Sequence, residues 1–146
     1  MITIQITKNF KDITVSLTRI KKLVKLTCKR FQLSDVMVSI AIVDDAQMRR
    51  VNAQFLNRKT TTDCLSFDLS DENNSFELVV NGQLALKEAD SRGHSAEAEL
   101  ALYIIHGLLH NLGFNDSTQK QAVKMHRMED EILQQFGYGL VYKNNR

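Results

Sequence analysis

The chain has 146 residues, of which 43% are hydrophobic and 25% are charged, and its formal net charge is +2. These values are typical of a soluble globular protein, and they exclude a membrane-spanning one because no apolar run approaches the roughly 18 residues that a membrane helix requires. The opening stretch MITIQITKNF has neither the basic start nor the apolar block of a secretory signal. We therefore expect a cytoplasmic protein with no membrane contact.

The chain shows no repeat, no low-complexity tract and no proline, so we predict one domain over residues 1–146. Cys28 and Cys64 are too few and too far apart for a disulfide framework, and no CxxC motif is present. Both cysteines are expected to be reduced, and neither is predicted to be a metal ligand.

Positive charge is concentrated at the start of the chain. Residues 1–30 contain eight lysines and arginines against Asp12 alone, a net charge of +7 that leaves −5 for the remaining residues. Clustered basic side chains bind the phosphates of nucleic acids. This region therefore either contacts a polyanionic partner or forms an ordinary solvated helix face.

Strands and helices alternate in the first part of the chain. ITIQI at 2–6 alternates and is β-branched, which predicts a strand, and residues 12–31 have apolar side chains at helical spacing. A second strand is predicted at 36–44, after which Asp44 or Asp45 can cap the next helix. The region therefore predicts the order strand, helix, strand, helix.

The middle of the chain predicts short strands. The polar segment LNRKTTTD reads as a loop, and CLSF, which follows it, as a strand. After another polar loop, FELVV and GQLAL are predicted to form one or two more strands.

Two helices are predicted in the last third of the chain. Ser95 can cap the first, which runs to about Leu112 and stops at Gly113, and the second covers roughly 117–135. The resulting order predicts an α+β fold, in which a small mixed sheet of about four strands packs with helices. The strongly apolar helix at 95–112 is expected to be the central buried one.

The strongest chemical signal is HGLLHNLGFND at 106–116. At ~100° per residue, His106 and His110 lie on neighbouring turns of one helix face, as in the two-histidine zinc helix. Gly113 can reverse the chain and bring Asp116 back toward the histidines. The pattern H-x3-H-x5-D thus predicts a metal site with three protein ligands and an open position for water.

Alternatives remain open for several of these residues. Asp116 could instead cap the final helix in a capping box with Gln119, and His126 would then be the rival third ligand. His94 and His126 are otherwise interpreted as loop and helix-surface residues. Gly107 stands where HExxH peptidases carry a glutamate base, which argues against an ordinary zinc peptidase and indicates close backbone packing or room for a substrate.

A family resemblance rests on four segments in this order: TTDCLSF at 61–67, NGQLAL at 81–86, HGLLHNLGF from 106 and MHRMEDEIL at 125–133. Over about residues 36–134 the chain resembles the YbeY family of bacterial rRNA maturation factors. The resemblance implies a compact α+β fold and one zinc ion bound by an H-x3-H-x5-H pattern. It also implies metal-dependent, single-strand-specific endoribonuclease activity in 16S rRNA 3′-end maturation and ribosome quality control, with the 16S rRNA precursor and the small ribosomal subunit as partners.

Carried over to this chain, the first two zinc ligands are His106 and His110, and the third family histidine falls on Asp116. A carboxylate remains a competent zinc ligand and shifts the preference of the site toward harder ions. The family's functional arginine aligns with Leu56. Arg58, two positions later, is either its catalytic substitute or a solvated loop residue.

Other positions and functions also stay open. Asp63 and Ser66 match the family pattern and either line the cleft or support the turn and strand edge. A ribosome-assembly factor with a purely structural metal, or a metal-dependent hydrolase of another substrate, would fit the same ligands. Structural zinc sites usually have four protein ligands, so a three-ligand site favours catalysis.

Overall fold

The computed structural model describes residues 1–69, 74–139 and 141–142. In chain order the elements are β1 (Ile2–Lys8), α1 (Leu17–Arg30), β2 (Val36–Val43), α2 (Asp45–Leu56), β3 (Cys64–Asp68), β4 (Asn74–Asn81), α3 (Gly82–Arg92), α4 (Ala96–Asn111) and α5 (Gln119–Gln135). Among these helices, a span long and apolar enough to cross a membrane is not found.

Within the described ranges, four strands form one mixed sheet in the order β1-β2-β4-β3. The strands β1, β2 and β4 are parallel, and β3 pairs antiparallel with β4 at the edge. Parallel neighbours need crossover connections, which α1 provides between β1 and β2. The predicted α+β class with about four strands is confirmed.

The helix α4 packs against β3, β4, α3 and α5. Its side chains are buried from Ala98 to Leu109 except at His106, which is partly exposed. A helix that is apolar on nearly all sides must be covered on nearly all sides. Each buried Leu or Ile contributes about 1.5–3 kcal/mol relative to exposure, so the helix that carries both candidate histidine ligands is firmly held in place.

The prediction of a strand at GQLAL was wrong, because residues 82–92 form the helix α3. The side-chain oxygen of Asn81 accepts a hydrogen bond from the Leu84 N–H and caps this helix at the end of β4. Gly82 lies so close to Ile42 that a Cβ atom would be 2.7 Å from its Cγ2. Short apolar runs of this kind fit a strand or a buried helix equally well, so the cap and the packing decide.

Several predicted helix ends are confirmed. Asp44 caps α2 by accepting from Gln47 N–H, and Ser95 caps α4 by accepting from Ala98 N–H. The first helix begins at Leu17 rather than near residue 12, because Ser16 is its N-cap.

Cys28 and Cys64 are free thiols, as predicted. Burial raises the pKa of Cys28 to about 11 and raises the pKa of Cys64 well above its ordinary value. Both thiols therefore stay protonated at neutral pH.

Candidate metal centre

Two imidazoles converge at the exposed end of α4. His106 and His110 lie one helical turn apart, and their Nε2 atoms are 3.1 Å from each other. Since 3.6 residues complete a turn, the i, i+4 spacing places both rings on one face of the helix.

The loop after α4 brings a carboxylate to the same point. Gly113 has a φ of +97°, a conformation that glycine adopts without strain, and there the chain turns back at the end of the helix. The Asp116 Oδ2 atom then lies 3.7 Å from the Nε2 atom of His106 and 3.7 Å from that of His110. The three residues predicted as metal ligands are therefore brought together, with one ligand atom of each within 4.8 Å of the others.

Hydrogen bonds on the far sides of the rings fix where the protons lie. His106 Nδ1 is 2.5 Å from Glu129 Oε2, and His110 Nδ1 is 3.2 Å from the Phe114 carbonyl oxygen. A carboxylate and a carbonyl only accept, so each Nδ1 carries the donated proton. When both rings are neutral, their Nε2 atoms consequently direct lone pairs toward the point that Asp116 faces.

Two lone pairs 3.1 Å apart repel unless a cation or a proton lies between them. With zinc–nitrogen bonds of about 2.0–2.1 Å, tetrahedral coordination separates two ligand nitrogens by roughly 3.3 Å. The spacing of the two histidines therefore fits a tetrahedral metal ion. The two imidazoles and one carboxylate are also a donor set that zinc accepts.

The electrostatics of the site favour positive charge. Burial lowers the pKa of His106, but the hydrogen bond and charge of Glu129, with the charges of Asp63 and Asp116, outweigh it. The pKa of His106 is therefore raised above its ordinary value. The same negative groups that hold a proton here attract a metal cation.

All three candidate ligands are partly exposed to solvent. The side chains of His106, His110 and Asp116 are 19%, 31% and 41% exposed. A cation held by these three residues would keep a direction open to water, as catalytic zinc sites do.

The alternative role of Asp116 as a helix cap was wrong. The N-cap of α5 is Thr118, whose side chain accepts from Gln121 N–H while the Gln121 side chain accepts from the Thr118 N–H. This capping box lies two residues beyond the predicted one with Gln119. The Asp116 carboxylate is therefore not needed to cap α5.

The sequence-based interpretation missed Glu129 and misplaced His126. Glu129 is fully buried and accepts hydrogen bonds from His106 and His126. His126 is not a freely exposed helix-surface residue, because its ring stacks on that of Tyr142 with centroids 3.6 Å apart. The sequence contained a signal for the burial of Glu129. This residue lies on the helical stripe of Met125, Ile132 and Leu133, where an apolar residue is expected.

Comparison with known proteins decides the family. The family model described as endoribonuclease YbeY matches residues 4–137. The chain belongs to the endoribonuclease YbeY family. The predicted resemblance is confirmed, and with it the general class of a hydrolytic nuclease.

Individual YbeY relatives agree with this assignment. A protein named endoribonuclease YbeY from Nitratiruptor is 38% identical over 104 residues, which cover 70% of this chain and 71% of that protein. One of the same name from Bartonella quintana is 32% identical over an alignment of 151 positions, which covers 91% of this chain and 92% of that protein. The solution structure of a Thermotoga maritima protein shares the fold with a TM-score of 0.59 and 23% identity, covering 93% of this chain and 91% of that one.

Other residues that the YbeY resemblance suggested have separate positions. Arg58 lies exposed in the loop after α2, and its catalytic role stays a prediction. The Asp63 Oδ1 atom accepts from the Cys64 N–H at 2.7 Å, which supports the turn before β3, while its charge also raises the pKa of His106. His94 is in a loop, as predicted, but its Nε2 is 2.6 Å from the buried carboxylate of Glu99.

Proposed function

We propose that this chain is a metal-dependent endoribonuclease that cleaves single-stranded RNA in 16S rRNA 3′-end maturation and ribosome quality control. The observation that carries the proposal is the convergence of His106 Nε2, His110 Nε2 and Asp116 Oδ2, with lone pairs aimed at one solvent-accessible point. One zinc ion is the proposed cofactor. The 16S rRNA precursor and the small ribosomal subunit are the proposed partners, which places the protein in the cytoplasm.

The proposed ligand roles rest on the positions of the side chains, and the role of Arg58 rests on the family resemblance. His106 and His110 would hold zinc through Nε2, and Asp116 would complete a three-ligand set with its carboxylate. When bound, zinc supplies a Lewis acid and activates water as a nucleophile at neutral pH. Arg58 is proposed as the cation that stabilises negative charge on the phosphodiester in the transition state.

The first helix is proposed to supply affinity for RNA. Lys21, Lys22 and Lys25 are exposed on α1, where they can contact phosphates. This helix ends against the loop that follows α4, because the ring of its C-cap residue Phe31 packs edge-on against the Phe114 ring at a centroid distance of 5.7 Å. RNA bound along α1 would therefore lie next to the loop that orients His110.

The exposure of the ligands favours catalysis over a purely structural metal. A structural zinc site is usually closed by four protein ligands, whereas the three candidate ligands here are partly exposed to solvent. A structural metal would still be bound by the same histidines. A catalytic metal and a structural metal therefore differ in whether RNA cleavage requires the metal and its histidine ligands.

The test is RNA cleavage by metal-stripped and zinc-reloaded protein on matched single-stranded and double-stranded substrates. Cleavage of the single strand is expected only after reloading, and His110→Ala is expected to abolish it. Gln119→Ala, an exposed residue in the first turn of α5, is the control and should cleave normally. Cleavage without metal, or full cleavage by His110→Ala protein that has lost only stability, would contradict the proposal.

A further inference from the structure

A fully buried carboxylate lies behind the metal centre. Glu129 on α5 is 0% exposed, and each of its oxygens is used by one imidazole. Its Oε2 atom is 2.5 Å from His106 Nδ1, and its Oε1 atom is 2.6 Å from His126 Nδ1. The carboxylate thus bridges a candidate metal ligand and a histidine from its own helix.

Apolar packing does not explain a glutamate at this position. Burying a carboxylate costs several kcal/mol unless the charge is paired and hydrogen-bonded, and a leucine would suit the stripe of Met125, Ile132 and Leu133 better. What offsets this cost is the pair of hydrogen bonds to the two imidazoles. The hydrogen bond to His106 therefore accounts for a glutamate at this position, where it can orient the His106 ring.

The second imidazole is itself held in place. The His126 ring stacks on the Tyr142 ring with an interplanar angle of 8°, and the Tyr142 N–H donates to Asp130 Oδ1 at 3.0 Å. Since Asp130 follows Glu129 on α5, these contacts tie the segment at 141–142 to the same turn of helix. His126 is thereby fixed with its Nδ1 against Glu129.

We propose that Glu129 and His126 are positioning residues for the metal centre: Glu129 fixes the ring orientation and tautomer of His106, and His126 holds the Glu129 carboxylate. The inference rests on the metal site of the proposed function. A carboxylate behind a metal-bound histidine keeps the proton on the far nitrogen and raises the donor strength of the near one. In this chain that arrangement presents His106 Nε2 toward His110 and Asp116.

The trio of His106, His126 and Glu129 is also close enough to hold a cation itself. Such a cation would have to replace the proton that His106 Nδ1 shares with a carboxylate that solvent does not reach. Hydrogen bonds between the three side chains therefore explain the trio better than a second metal ion does. The number of zinc ions bound per chain distinguishes the two arrangements.

The experiment measures zinc affinity by competition with a chromophoric chelator, and the unfolding free energy of the metal-free protein beside it. Glu129→Gln is expected to weaken zinc binding about 10–100-fold. His126→Phe keeps a ring to stack on Tyr142 but removes Nδ1, and we expect a smaller loss of affinity together with a loss of stability, because the buried Glu129 Oε1 loses its hydrogen-bond partner. Glu131→Gln, an exposed position on the same helix, is the control and should bind zinc normally.

A second readout follows the tautomer directly. Nitrogen NMR of the metal-free protein should show the neutral His106 ring protonated mainly at Nδ1, and Glu129→Gln should populate the tautomer protonated at Nε2. If Glu129 had only a structural role, the Nδ1-protonated tautomer would remain dominant in Glu129→Gln.

The outcomes distinguish this inference from the proposed function beneath it. Normal zinc affinity in both Glu129→Gln and His126→Phe, with weak binding in His110→Ala, would overturn the positioning roles and leave the metal site intact. Normal affinity in His110→Ala would overturn the metal site itself. Two zinc ions per chain, reduced to one by His126→Phe, would also overturn the inference because the trio would then be a metal site.

Discussion

Gly107 on α4 faces the Sγ atom of Cys64 on β3 so closely that a Cβ atom at position 107 would lie 2.5 Å from that sulfur. It would also lie 3.1 Å from the Leu78 Cδ2 atom of β4. Of the two sequence-based interpretations of Gly107, close packing and room for a substrate, the contacts support close packing. The missing side chain lets the helix that carries both histidines approach the sheet.

We predict that Gly107→Ala lowers the free energy of unfolding by about 1 kcal/mol. Overpacking costs about 1–3 kcal/mol, and the better helix propensity of alanine offsets about 1 kcal/mol of this. Urea denaturation of the metal-free protein measures the change. In a Cys64→Ala background the same substitution should be neutral or stabilising, because the crowded sulfur is gone. An equal cost in both backgrounds would show that Cys64 is not the source of the strain.

The carboxylate ligand can be exchanged for the imidazole of the family pattern. Since Asp116 faces both Nε2 atoms from the loop, Asp116→His is expected to keep zinc binding and to favour zinc over harder ions such as manganese. Asp116→Ala should weaken the binding of both metals. Competition titrations with each metal measure the two affinities.

The matched control for this exchange is Gln119→His, which adds an imidazole at an exposed position three residues away, at the start of α5. It should leave the ratio of zinc to manganese affinity unchanged. If Asp116→Ala bound both metals as tightly as the unchanged chain, Asp116 would not be a ligand.

The basic face of α1 predicts a salt-dependent affinity for RNA. Lys21→Glu with Lys25→Glu, two exposed positions one turn apart, should weaken binding to single-stranded RNA. The slope of log affinity against log salt should fall by about 0.7 for each RNA phosphate that the variant no longer neutralises. Filter binding over a range of salt concentrations measures both quantities.

A charge-matched control reverses Arg50 and Lys87, which are exposed on α2 and α3. It changes the net charge equally and should have a smaller effect on the slope. An equal decrease in both variants would mean that only the net charge of the protein matters, and no decrease in either would remove the proposed role of α1.

The raised pKa of His106 predicts how the metal-free protein responds to pH. Below about pH 6.5 the imidazole is protonated in both the folded and the unfolded state, and its stabilising contribution is fully present. Above that value the unfolded state loses the proton first, so the contribution falls as pH rises through the raised pKa of the folded state. Wild-type stability should therefore fall with pH across this window more steeply than that of His106→Gln.

Unfolding by urea in the presence of a chelator, over a pH series, measures this difference. With saturating zinc the trend should reverse, because protons compete with the metal for the imidazoles. Parallel pH profiles of the two metal-free proteins would show that His106 is not the group responsible.

Some features of the candidate site are set by residues close together in the sequence, and others by residues far apart. The sequence by itself determined that His106 and His110 share one helix face, because the helical repeat is a local property. It also predicted Ser95 and Asp44 as caps, since a cap involves only the next few residues. Asp116 returns to the site through a local glycine turn. The sequence could therefore predict that Asp116 lies near the two histidines.

What only the tertiary structure decided involves residues far apart in the chain. Glu129 meets His106 across 23 positions, and helical periodicity could mark it as unusual without naming its partner. The run GQLAL forms a helix whose Asn81 cap is local, but the close packing of its first residue, Gly82, on Ile42 is a distant contact that an apolar pattern does not reveal. Periodicity and capping are set by neighbouring residues, whereas the partner of a buried charge is set by how the elements pack, and only the folded chain fixes that.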